Sequence, residues 1–204
     1  MKSSPHLLNL NILVIMIVFL SGCSAAAVEE DSLSEQFPTA ITPGDEPSNE
    51  NRSGVIYQWA ISAEASSEFS SPEWSAEQAV GRPDSPGCGD YQFSWASAAS
   101  DSIDTLIVKF PILVYPLEII IQESFNSDQV TKVEVQDPER LGYYTVLQKN
   151  PTQVDRPCPY QLIVPVEGIG FLTNTVRITV DQSQLGLGWN EIDAVQLIGT
   201  KEED

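Results

Sequence analysis

Residues 175–181 read Thr-Val-Arg-Ile-Thr-Val-Asp, and this alternation decides the fold class. Val176, Ile178 and Val180 share one face of an extended chain, while Arg177 and Thr179 point the other way. Val133 and Val135 alternate with Lys132 and Glu134 in the same manner. Working outward, runs rich in β-branched and aromatic residues recur at 55–61, 105–110, 117–124, 132–136, 143–148, 161–166, 175–181 and 192–198, with turn residues between them. Only PEWSAEQAVG at 72–81 reads as a helical turn or two. Eight strands, one wet face and no alternation of strand with helix predict an all-β protein, an antiparallel β-sandwich or jelly roll with one short helix.

Strand-like patterning begins at Val55 and fades at Gly199, so a single domain is expected over 55–200 with a frayed acidic tail at 201–204. Upstream, residues 24–54 hold seven acids, one base and three prolines with few large apolar side chains. Such a stretch cannot bury enough apolar surface to offset its ordering entropy, which predicts a self-repelling acidic linker. Before it, Leu7 to Leu20 is an apolar run broken only by Asn9 and Asn11. At 1.5 Å per residue it covers about 21 Å, short of the ~30 Å hydrocarbon core, and so reads as a signal segment over residues 1–22.

Leu20-Ser21-Gly22-Cys23 resembles a bacterial lipobox. The resemblance implies cleavage before Cys23 and acylation of its thiol, with two or three acyl chains giving firm anchoring. The plain alternative is an ordinary secretory signal with a chance cysteine. A lipid-anchored protein on the outer face of the cell membrane or outer membrane is the expectation, with Ser24 leaving the membrane open.

Trp59-Ala60, Ala65-Ser66-Ser67, the segment from Trp74 to Asp84, Gly89-Asp90 and Trp95 follow one another in the order seen at the start of discoidin-like, galactose-binding-like jelly rolls. Val176-Arg177-Ile178 and the closing Gly188-Trp189-Asn190-Glu191-Ile192-Asp193-Ala194-Val195 resemble the way such domains end. The chain is similar in this respect to coagulation-factor C-type domains and to the scarf-type domain of pappalysins, over nearly all of 55–199. The likeness speaks to fold more than to ligand.

It also implies one structural calcium, held by Glu191, Asp84 and Asp90 together with backbone carbonyls near Gln78 and Gly81. Six to eight oxygens would be required. Here Gly81-Arg82-Pro83-Asp84 replaces the Asp-Gly turn common in the family. The competing reading makes these acids turn and helix caps.

Cysteine arithmetic is independent of the resemblance. With Cys23 acylated, Cys88 and Cys158 remain as an even pair in Pro/Gly-rich loops, which predicts a disulfide. Two free thiols are the alternative, with Arg156 as the one cationic neighbour in sequence.

The sequence carries 29 acidic and 10 basic residues, a net charge of −19. That argues against nucleic acid, which is bound through cationic contacts to phosphate. The one histidine is His6, inside the signal segment, so an imidazole-based triad or zinc site is not expected in the domain. Carboxylate pairs such as Asp101 with Asp104, or Glu191 with Asp193 on one strand face, are the remaining catalytic option. We read the domain as non-catalytic. A sugar site needs exposed aromatics, and the candidates are Trp74, Tyr91, Phe93, Tyr115 and the Trp189-Asn190 pair. The competing expectation is that Trp59, Trp95 and Trp189 fill the core and Trp74 plugs one end. Two functions follow: a membrane-anchored module binding a carbohydrate or a cell-surface protein, or an envelope assembly component without a small-molecule pocket.

Overall fold

The structure, a computed structural model, describes residues 54–202. The expected signal segment, the acylated Cys23, the linker up to residue 53 and the last two residues lie outside the described residues. Among those described, no helix is long and apolar enough to cross a membrane.

Eight strands form: β1 (Val55–Trp59), β2 (Ser62–Ala65), β3 (Ile103–Phe125), β4 (Val130–Gln136), β5 (Tyr143–Gln148), β6 (Tyr160–Pro165), β7 (Thr173–Asp181) and β8 (Glu191–Thr200). Every pairing is antiparallel. The fold is the expected all-β jelly roll, but its strands are divided differently. The runs at 105–110 and 117–124 belong to one 23-residue strand, β3. Its register breaks between Lys109 and Val114, where Pro111 offers no backbone N–H. On the N-terminal side of that break β3 pairs with β2 and β7; beyond it β3 keeps one β7 partner, Val114 with Thr173, and then pairs with β8 and β6.

One half therefore runs β2-β3-β7-β4-β5 and the other β1-β8-β3-β6. Leu106, Val108, Val133, Val135, Val176 and Ile178 from the first half join Ile119, Ile121, Val164, Val195 and Leu197 from the second in a single buried cluster. The alternation read at 175–181 is the inward face of β7. Each fully buried aliphatic side chain here contributes about 1.5–3 kcal/mol relative to exposure.

β2 escaped the sequence pattern because Ser-Ala-Glu-Ala holds no β-branched or aromatic residue. It is extended because β3 offers it a free edge. The expected helical segment contracts to one 3-10 turn at Ala76–Ala79. Glu68 Oε1 accepts from the Ala76 N–H at 2.7 Å, while the Pro72 carbonyl accepts from Ser75 Oγ and Gln78 Nε2. The turn is thus tied down at its start rather than propagated.

Cys88 and Cys158 are bonded, with Cα atoms 5.8 Å apart across 70 residues of sequence. The bridge fastens the long loop between β2 and β3 to the segment that enters β6.

Candidate functional site

The loop between β2 and β3 folds over the start of β8. Trp95 exchanges backbone hydrogen bonds with Ile192, pairing the loop with the first residues of β8 by one isolated antiparallel bridge. Of the three tryptophans expected in the core, only Trp95 is fully buried, at 1% exposure. Trp59 and Trp189 are half-buried, which corrects their assignment to the core. Trp189 instead packs at the loop end, its Nε1–H donating to the Ser97 carbonyl at 3.0 Å.

Phe69 joins Trp189 to Trp74. Its ring lies edge-on to both, with centroids 5.4 Å away in each case. Trp74 reaches this position with a φ of 54°, a left-handed backbone uncommon for a bulky residue. The three rings, with Ala96 and Phe125, wall a cavity of about 160 Å³ that also reaches Asp90 and Glu191. That is below the ~300 Å³ of a drug-sized site and suits one small ring or residue.

Glu191 is 2% exposed. Its Oε2 accepts from the Tyr91 N–H at 3.0 Å and from Ser124 Oγ at 3.2 Å. Burial, reinforced by the adjacent Asp90 carboxylate, pushes its carboxyl up to about 7. Two residues on, Asp193 Oδ1 accepts from the N–H groups of Asp84 and Ser85 at 3.4 and 3.2 Å and from Ser85 Oγ at 3.0 Å. Burial raises Asp193 as well. Ser85, Ser94 and Ser124 hydroxyls connect the two carboxyls in a chain with 3.0 and 2.8 Å links. The i, i+2 spacing of Glu191 and Asp193 thus sets both against the same loop, and their chemistry is to pin its backbone.

The five residues expected around calcium lie along the loop between β2 and β3 and at the start of β8. The Gln78 amide is turned to Pro72, Asp84 meets Asp193 through its backbone N–H, and Asp90 stands beside Glu191. Gly81 donates its N–H to the Ala60 carbonyl with a φ of 92°. Among the described residues, no group of three or more acidic, histidine or cysteine side chains converges. Oε2 of Glu191 and Oδ1 of Asp193 are met by protein N–H and O–H donors.

Among the aromatic candidates, Trp74 and Trp189 are brought together. Tyr91 contributes its N–H to Glu191, and its ring lies beside Gly89. Phe93 is exposed outside the cavity, and Tyr115 lies in a separate depression with Leu117 and Gly168. Asn190 is 1% exposed and faces inward, donating to Glu123 Oε1 at 2.7 Å and to the Asn126 carbonyl at 3.2 Å. It therefore serves the end of the core and lines no ligand cavity. Sequence reasoning missed Phe69 and Phe125. An isolated phenylalanine in the serine-rich 66–71 loop was the available signal for the first.

Several solved structures share this architecture. Chitosan-binding module 1 of a chitosanase/glucanase from Paenibacillus sp. IK-5 aligns with a TM-score of 0.50 and 13% identity, over 67% of this chain and 92% of that one. The Clostridium perfringens module CpGH89CBM32-4, in complex with GlcNAc-α-1,4-galactose, gives 0.51 and 13% identity over 68% and 89%. The F5/8 type C domain of a Bacteroides fragilis protein gives 0.50 and 10% over 71% and 98%. At these identities the likeness is one of fold. No curated protein sequence matches the chain. Residues 48–204 match the family described as pappalysin-1, SD scarf domain, C-terminal, and the chain belongs to that family.

Proposed function

We propose that this protein is a non-catalytic binding module, held outside the cytoplasm by acyl chains on Cys23, whose loop-end cavity takes a carbohydrate. The observation that carries the reading is the trio of Phe69, Trp74 and Trp189 beside the Asp90 and Glu191 carboxyls. A sugar ring presents C–H faces that pack on aromatic rings and hydroxyls that donate to a carboxylate, and this cavity offers the rings together with the exposed Asp90. The sugar-binding neighbours, one chitosan-binding and one in complex with a galactose-containing disaccharide, support the same class of ligand. The lipobox-like Leu20-Ser21-Gly22-Cys23 and the acidic spacer support a tethered domain held clear of an anionic surface.

The full chain is tested on a glycan array, with hits measured by calorimetry against Trp74→Ala. A saccharide bound by the native chain and lost in the variant supports the reading. Absence of any binding sinks it. Anchoring is tested separately: radiolabelled palmitate should enter the native chain and not Cys23→Ser, and equal labelling would reject acylation at Cys23.

A further inference from the structure

A second and larger cavity adjoins the aromatic one at the loop end. Its volume is about 520 Å³, and its walls include Phe125, Gln153, Asp155, Arg156, Tyr160 and Leu187. Phe125 also lines the cavity of Trp74 and Trp189. Leu187 in the one and Trp189 in the other are separated by Gly188 alone, at most about 7 Å of backbone. We propose that the two cavities are consecutive subsites for one ligand, an oligosaccharide of two or more residues, its second residue held against Tyr160 and Gln153. The inference rests on the carbohydrate reading of the first cavity.

The fold fixes the spacing of the two cavities. The Gly89 N–H donates to the Ser124 carbonyl at 2.8 Å, immediately before Phe125. Asn126 Nδ2 donates to the Leu187 carbonyl at 2.7 Å, immediately after it. The Cys88–Cys158 bridge ties the loop that carries Asp90 to the segment that carries Arg156 and Tyr160. Walls held in this way lose little freedom on binding, so a ligand that spans both gains contacts without a large ordering cost on the protein.

The first cavity, at about 160 Å³, takes one ring. A second ring that continues past Phe125 meets protein rather than solvent. There Phe125 and Tyr160 offer apolar ring surface, while the exposed Gln153 and Asp155 offer an amide and a carboxylate to hydroxyl groups. Arg156 is paired with Asp128, whose other oxygen accepts from the Val154 N–H at 2.8 Å. Its charge is thus balanced, and Asp155 adds a negative charge to a loop end that already exposes Asp90. This excess of acid disfavours uronic and sialic acids and selects saccharides that are neutral or carry amino groups.

The test is calorimetry on the full chain with the shortest saccharide of two or more residues selected on the glycan array, and with its component monosaccharides. The readout is the ratio of affinities. The longer ligand binds the native chain at least about tenfold more tightly than the better monosaccharide. Tyr160→Ala brings that ratio close to one, and Phe93→Ala, outside both cavities, keeps it. Equal native affinities for the two lengths overturn the second subsite and leave the carbohydrate reading standing, as does a ratio retained in Tyr160→Ala. An array led by acidic saccharides overturns it as well. If no saccharide of any length binds, the carbohydrate reading fails and the subsite falls with it. If Tyr160→Ala does not fold, Gln153→Trp, which fills the second cavity from an exposed wall position, decides: a lost ratio supports the site and a retained one refutes it.

Discussion

Phe69 stands edge-on to Trp189, the two rings 5.4 Å apart at 80°, and helps wall a cavity that Trp74 also lines. Removal of a central aromatic anchor typically costs 2 kcal/mol or more, roughly thirtyfold in affinity. Trp74→Ala should therefore weaken binding of the array-selected saccharide by at least about tenfold in calorimetry. Phe93→Ala, also exposed but outside the cavity, should bind as the native chain does. Equal affinity in all three proteins would remove the cavity from consideration.

The Cys88–Cys158 bridge closes a loop across 70 residues. In the chain-entropy picture a closure of this length stabilises by about 4 kcal/mol. Cys88→Ser/Cys158→Ser should melt roughly 10 °C lower than the native chain under non-reducing conditions. A midpoint unchanged by the double substitution would mean that the loop is held entirely by the Ser85, Tyr91 and Trp95 hydrogen bonds.

The carboxyls of Glu123 and Glu191 both sit at about 7 in the folded state against an ordinary 4.5, burial being the main cause. The folded chain therefore holds those protons more tightly than the unfolded chain. Their contribution is fully present below pH 4.5 and is lost as pH rises through about 7. Asp104, Glu134 and Asp181 lie below their ordinary values, with serine, Arg177 and Gln184 hydrogen bonds outweighing burial, so their contribution is lost on the acid side. In EDTA and choline chloride the midpoint should fall from pH 5 to pH 8, and Glu191→Gln should flatten the slope. A midpoint that climbs across this window would contradict the assignment.

Gly199 of β8 pairs with Pro116 of β3. A Cβ at this position would come within 2.3 Å of the Tyr115 carbonyl oxygen and 2.6 Å of Val114 Cγ2. The first is backbone and cannot swing aside, so Gly199→Ala should destabilise by about 2–4 kcal/mol in urea titration, at the high end for a single added methyl. Gly168→Ala, with open space around it but a φ of 71°, should cost less, about 1 kcal/mol.

How far the residues speak for themselves varies along the chain. β4 and β7 were legible because a half-buried strand must alternate, and Val133, Val135, Val176 and Ile178 do so. The cysteine pairing followed from an even count in flexible loops. Trp74 and Trp189, both aromatic candidates in the sequence, meet at one cavity, while Phe69 between them was not legible, because nothing local marks a loop residue that two distant rings will meet. β2 was invisible, since Ser-Ala-Glu-Ala is extended only by virtue of β3 beside it.

The same division holds for the electrostatics. Sequence determined that Glu191 and Asp193 share a face and that Asn190 does not, because side chains alternate along a strand. Only the tertiary structure decided that the outward pair would be consumed in holding a loop through Ser85, Ser94 and Ser124, and that Glu123, 67 residues away, would meet Asn190 with its second oxygen unsatisfied. Alternation is fixed by the backbone of each residue. Burial, shifted acidity and convergence depend on which strands pair across the chain, and no short window of sequence contains that information.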